Sequence, residues 1–190
     1  MVPAPNTKFT QIIQQLNAIA MSSGPGRVDE LAARRIEKEA RDLLHVDRSG
    51  AFIILGALAC IRGDYASMHR HHQKAINLGG GYYACAQYSI SLNRVGLFSD
   101  ALKYAEMAHD IDQMNPMIIE DIIGILLHIG LKDLARKYAE KWIRLNPEKE
   151  PYITPGEIDA FEVEPRPAVS MITDRLMNKY DSAWAQLAKL

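Results

Sequence analysis

An all-α fold built of repeated helix pairs is what this sequence predicts, and three observations carry the prediction. Hydrophobic residues make up 48% of the 190-residue chain but aromatics only 7%, while Ala, Leu and Ile are common. That balance leans towards helix rather than strand. Gly63, Gly96 and Gly130 each follow an apolar run of helical spacing and open a second one, at intervals of 33 and 34 residues. Two further sets of positions keep that period: Met68, Ala101 and Ala135, then Ala75, Ala108 and Trp142. A shared period of this length marks stacked units, none of which can bury its apolar face alone. Three pairs, a hairpin before them and one helix after give an expected total of about nine helices.

The elements follow in order. Residues 1–48 are expected to form a helical hairpin that caps the stack. Phe9, Ile12, Ile13, Leu16 and Ile19 recur at helical spacing behind Asn6 and Thr7, which can cap. "SSGPGR" is a turn, and Val28 to His45 is a second helix with Leu31, Ile36, Ala40, Leu43 and Leu44 on its apolar side. Asp29 and Glu30 at its start complement the helix dipole. Residues 49–149 hold the three repeated pairs, 49–81, 82–115 and 116–149. In the first, Phe52, Leu55, Gly56 and Ala59 share a helical face, Gly63 breaks the helix and Tyr65 begins the next. Glycine at the three break points can take the left-handed conformation that ends a helix. Small residues such as Ala101 and Ala135 let paired helices approach closely.

Residues 150–167 are a proline-rich acidic linker. Pro151, Pro155, Pro165 and Pro167 forbid a long helix there. Two readings stand: a solvated linker, or an arm anchored along the stack by Tyr152, Ile153, Ile158 and Phe161. In residues 168–190, Val169, Ile172, Leu176, Tyr180, Ala183, Leu187 and Leu190 form an amphipathic helical stripe. This helix either caps the stack or serves as a homodimer or partner contact.

"FIILGALACIRGDY" and the closing Leu145-Asn146-Pro147 resemble the tetratricopeptide repeat (TPR), with Phe52 in place of the signature Trp. The middle unit keeps Gly96, Phe98 and Ala101 but has Tyr88-Ser89 for Leu-Gly and Gln113 for the closing Pro. The resemblance covers about Ser49 to Lys149. It implies a right-handed TPR-like helical solenoid with flanking capping helices. The first helix of each pair would line a concave groove that takes a partner's peptide or helix. The groove positions it implies are Ile53, Ala57 and Cys60 in the first repeat. In the second they are Tyr83, Gln87, Ile90, Asn93 and Arg94. In the third they are Glu120, Asp121, Leu127 and His128. This groove is apolar at one end and acidic at the other, which suits an amphipathic segment with some positive charge. Only Asn93 and Arg94 fit the family's grip on a chain-terminal carboxylate, so that mode is not expected. Arg94 could equally pair with Glu120 or Asp121.

His69, His71 and His72 crowd the second helix of the first pair, in "GDYASMHRHHQKAINL". His72 takes the place of a large ring in the repeat signature. Packing against the next repeat, with one ring nitrogen hydrogen-bonded, is its expected role. His71 and Arg70 should point more towards solvent. No third or fourth metal ligand is evident nearby, so neither metal nor cofactor is expected. Gly79-Gly80-Gly81 lacks the Lys-Ser or Lys-Thr of a phosphate loop, and there is no nucleophile motif, so the chain is not expected to be an enzyme.

A net charge of −1 gives no footprint for nucleic acid or an anionic membrane. The start "MVPAPNTKFTQ" lacks the basic and apolar regions of a signal peptide. Cys60 and Cys85 read as buried thiols in a reducing compartment, so a cytoplasmic location is expected. The expected function is a non-catalytic adaptor binding another protein. The alternatives are a chaperone like those of type III secretion translocators, which the three-repeat architecture resembles, and an immunity or antitoxin-type inhibitor.

Overall fold

The computed structural model describes residues 7–22, 28–151 and 153–161. They form nine helices and no strand, as an all-α fold requires. The chain divides into two compact units, Met1–Asn115 and Pro116–Leu190. The division falls at the junction expected between the second and third repeats.

The first unit contains α1 (Thr7–Ser22), α2 (Glu30–Leu43), α3 (Arg48–Ile61), α4 (Tyr65–Asn77), α5 (Gly81–Arg94) and α6 (Phe98–Ile111). Consecutive helices pack as pairs, α1 with α2, α3 with α4 and α5 with α6. The first helix of each later pair also packs on both helices of the pair before it, so α3 meets α1 and α2, and α5 meets α3 and α4. Asp29 stands outside α2 as its N-cap, accepting from the Leu31 and Ala32 amides at 3.0 and 3.1 Å. Asp47 and Asp64 cap α3 and α4 in the same way.

The glycines do what their spacing predicts. Gly63 and Gly96 have φ of 75° and 80°, and Gly130 in the second unit has 83°. The amide after each donates back five residues at 2.9 Å: Asp64 to Ala59, Leu97 to Leu92 and Leu131 to Leu126. This is the Schellman ending, repeated at the sequence period. The other periodic positions are core. Met68, Ala101, Ala135, Ala75 and Ala108 are completely buried, and Trp142 nearly so.

The second unit contains α7 (Pro116–His128), α8 (Lys132–Leu145) and α9 (Pro155–Ala160). α7 pairs with α8, and α9 packs on α8. The proline-rich segment is therefore not a solvated linker over 153–161. Thr154 and Glu157 form a capping box with Pro155 in the first turn, where proline costs no hydrogen bond. Ile158 is completely buried, the Lys132 ammonium donates to the Asp159 carbonyl at 3.2 Å, and Arg136 pairs with the Asp159 carboxylate. Of the four expected anchors, Ile158 is the one that is buried; Phe161 is exposed, and Tyr152 lies outside the described residues. The helix expected over 168–190 also lies outside them, so the ninth helix seen, α9, is not the ninth one expected.

Candidate functional site

The residues that the TPR resemblance places in a groove divide between the two units, eight in the first and four in the second. Within the first unit they behave in two ways. Ile53, Ala57 and Cys60 form one stripe of α3 and are buried, with 2%, 6% and 6% of their surfaces exposed. Ile53 and Ala57 share a core with Phe9, Ile12 and Leu16 of α1. These α3 residues are packing residues, closed to a partner while α1 is in place. The cause is the apolar stripe of α1, which needs a surface to cover and finds it there.

The stripe of α5 is different. Tyr83, Gln87, Ile90 and Asn93 are half-buried, and Arg94 is exposed. Positions 83, 87, 90 and 94 advance by four, three and four, so they share one face of the helix. Tyr83 is held at its base by an edge-to-face contact with Phe9, with ring centroids 5.8 Å apart. A narrow gap of about 20 Å³ remains where Leu16 and Ala20 of α1 meet Ala57 and Cys60 of α3 and Ile90 and Arg94 of α5. The Cys60 thiol donates to the Ser91 carbonyl of α5 at 3.5 Å. Burial pushes both Cys60 and Cys85 thiols upward, so neither is a reactive thiolate.

In the second unit Glu120 and Asp121 are half-buried, Leu127 is buried and His128 is exposed. The His128 Nδ1 donates to the Gly124 carbonyl at 2.8 Å. Burial, with the neighbouring Glu120 charge, raises the Asp121 carboxyl to about 7. Leu127 belongs to the core of its unit, not to an accessible surface.

The histidine cluster resolves as packing. His72 is completely buried, its Nε2 lies 2.9 Å from the Ser91 hydroxyl, and its ring stacks on Tyr88 at 4.9 Å. Both partners sit on α5, the helix of the next repeat. His69 Nδ1 lies 2.5 Å from the Tyr88 hydroxyl. Arg70 is exposed as expected. His71 is not solvent-directed: it is half-buried and stacked on Phe52 at 5.7 Å. Among the described residues no three His, Cys, Asp or Glu side chains assemble as metal ligands would, and no helix is long and apolar enough to cross a membrane.

Sequence reasoning found the stripe on α3 but not its cover. The signal was present, in Phe9, Ile12 and Leu16, but a stripe does not name the surface it will meet. No protein-family model matches the chain, and no curated protein matches it either.

Proposed function

We propose that this chain is a non-catalytic protein-interaction module of the TPR kind, a right-handed solenoid working in the cytoplasm. It takes a peptide or helical segment of another protein on the face carried by α5. The accessible stripe Tyr83, Gln87, Ile90 and Arg94 is the observation that carries this reading. An aromatic ring, an aliphatic side chain, an amide and a guanidinium in one row offer both area and directed hydrogen bonds. Support for the solenoid comes from the glycine-ended turns at the sequence period. It comes also from the way, within the first unit, α3 seats on α1 and α2 and α5 seats on α3 and α4. The face is narrower than the sequence alone suggests, because the α3 stripe is occupied by α1.

The test is affinity purification of the tagged full chain from its native cells, with quantification of co-purifying proteins. One dominant partner at near-equal amount is expected. Arg94→Glu should release it with an unchanged melting temperature, and Tyr83→Ala should release it while lowering the melting temperature through the lost contact with Phe9. A partner retained by both variants would sink the α5 reading. Its identity would separate an adaptor from a chaperone or an inhibitor. No partner, with a dimer mass by light scattering, would turn attention to residues 168–190 instead.

A further inference from the structure

Between α2 and α4 the first unit holds an open cavity of about 570 Å³. It lies over the face of α3 opposite Ile53, Ala57 and Cys60, since Leu55, Leu58 and Arg62 fall roughly half a turn away on the helix. Its volume is that of ordinary small-molecule pockets, about 300–1,000 Å³. The apolar part of the lining is Leu44, Leu55, Leu58 and Ala59. The charged part is Arg41, Arg62 and Arg70 against Glu37 and Asp64, and Arg62 also donates to the Glu30 carboxylate of α2 at 3.3 Å, so the charges of the lining and its immediate partners balance.

The carboxylates are already engaged. Glu37 accepts from Arg62 at 2.7 Å through one oxygen and from Arg41 at 2.5 Å through the other. Those bonds, Arg62 first, hold its carboxyl below the usual range. Asp64 accepts from the Ser67 amide as the cap of α4. Arg70, by contrast, donates to a hydroxyl, that of Ser67 at 3.0 Å, and so keeps donors for an anion.

The cavity also has an internal control. One period later, Leu55 and His71 are replaced by Tyr88 and Tyr104. There the two rings lie 4.3 Å apart, and the Tyr104 hydroxyl accepts from Gln73 at 2.6 Å, so the corresponding place is occupied. Leu and His at these positions leave room that two phenols would take. His71 contributes a neutral ring at the wall, since burial, with the Arg70 charge, lowers its basicity.

We infer that this cavity binds a small amphiphilic monoanion, a carboxylate with an aliphatic or aromatic body. The body rests on Leu55 and Leu58, and the carboxylate meets Arg70. Arg41 and Arg62 are bonded to carboxylates of α2, whereas Arg70 is bonded to a hydroxyl, so Arg70 is the guanidinium that receives the ligand's carboxylate, and this charge-assisted contact fixes the orientation. This site uses the other side of α3 from the α1 cover and does not depend on the proposed protein-binding face.

The test is titration of octanoate into the full chain, followed by calorimetry and amide shifts. Saturable binding at one site is expected, with shifts centred on Leu55, Leu58 and Arg70. Arg70→Glu should weaken it by about tenfold or more, as the loss of one charge-assisted contact predicts. The pair Leu55→Tyr with His71→Tyr should abolish binding by refilling the space as Tyr88 and Tyr104 do. Arg70 is exposed, so its variant keeps the fold and carries the test alone if the double variant does not. Absence of saturable binding would overturn the proposal. So would octanoate binding that Arg70→Glu leaves intact, or equal binding of uncharged 1-octanol.

Discussion

The helices α3 and α5 occupy equivalent places one period apart, yet each is covered where the other is open. On one side α3 lies under α1, which buries Ile53, Ala57 and Cys60, while the equivalent stripe of α5 remains accessible. On the opposite side α3 borders the open cavity, while the place beside α5 is filled by Tyr88 and Tyr104. A repeat therefore fixes where helices lie, but the side chains at a few positions decide which surfaces a ligand can reach. Two neighbouring helix pairs come to present opposite faces.

The sharpest way to break this comparison is to place one charge in each stripe. Ile53→Asp buries a carboxylate in the α1–α3 core and should cost about 4 kcal/mol or more, seen as a collapse of the urea midpoint. Ile90→Asp at the half-buried position on α5 should cost within about 1 kcal/mol while abolishing partner capture. Equal destabilisation by the two would mean that the stripes are not different in kind.

The next effect is pH-dependent and sits between the two helices. Burial first, then the neighbouring His71 and His69, push the His72 ring down to about 3. In the unfolded chain such a ring titrates near 6.5, roughly the ordinary histidine value. Between these values the unfolded chain binds the extra proton. The contribution is therefore fully present above pH of about 6.5 and is lost as pH falls towards 3, by about 1.4 kcal/mol per unit. Urea melts at a series of pH values from neutral to mildly acidic should show this slope, and His72→Gln should flatten it. A wild-type slope unchanged by that substitution would assign the acid sensitivity elsewhere.

Smaller effects separate the two helices at one shared position. Gly56 of α3 has no room for a side chain, because an added Cβ would lie 2.8 Å from the His72 ring. Gly56→Ala should cost about 1–3 kcal/mol by overpacking. The equivalent Ser89 of α5 instead donates its hydroxyl to the Ala101 carbonyl at 2.7 Å. Ser89→Ala should cost about 1 kcal/mol, the value of one buried hydrogen bond. Thermal melts of both variants measure the difference, and a milder Gly56→Ala would show that α3 and α4 can separate to accept a methyl.

The period was legible because its markers have single physical jobs. Gly63, Gly96 and Gly130 end helices with positive φ, and Ala101 and Ala135 are completely buried. His72 was legible for the same reason, since a ring position in a repeat is a packing position. The cover on α3 was not, because Phe9, Ile12 and Leu16 declare an apolar face without declaring its mate. The cavity was half legible: Leu55 and His71 against Tyr88 and Tyr104 stand in register, but the missing volume appears only when α2 and α4 are placed around it. The short α9 was obscured by its own prolines. Four of them rule out a long helix and say nothing against one of six residues opened by Thr154 and Pro155.

The tight glycine turns also set an order of events. Only three residues separate α3 from α4, α5 from α6, and α7 from α8. Closing such short connections costs little chain entropy, so each hairpin can zip up from its own turn before distant segments meet. The seam between α1 and α3 joins segments further apart in the chain and must close later. Stopped-flow refolding should then form the paired helices first and bury Phe9 last. For a brief interval in every folding cycle, the surface that the mature molecule keeps shut is exposed to whatever is nearby.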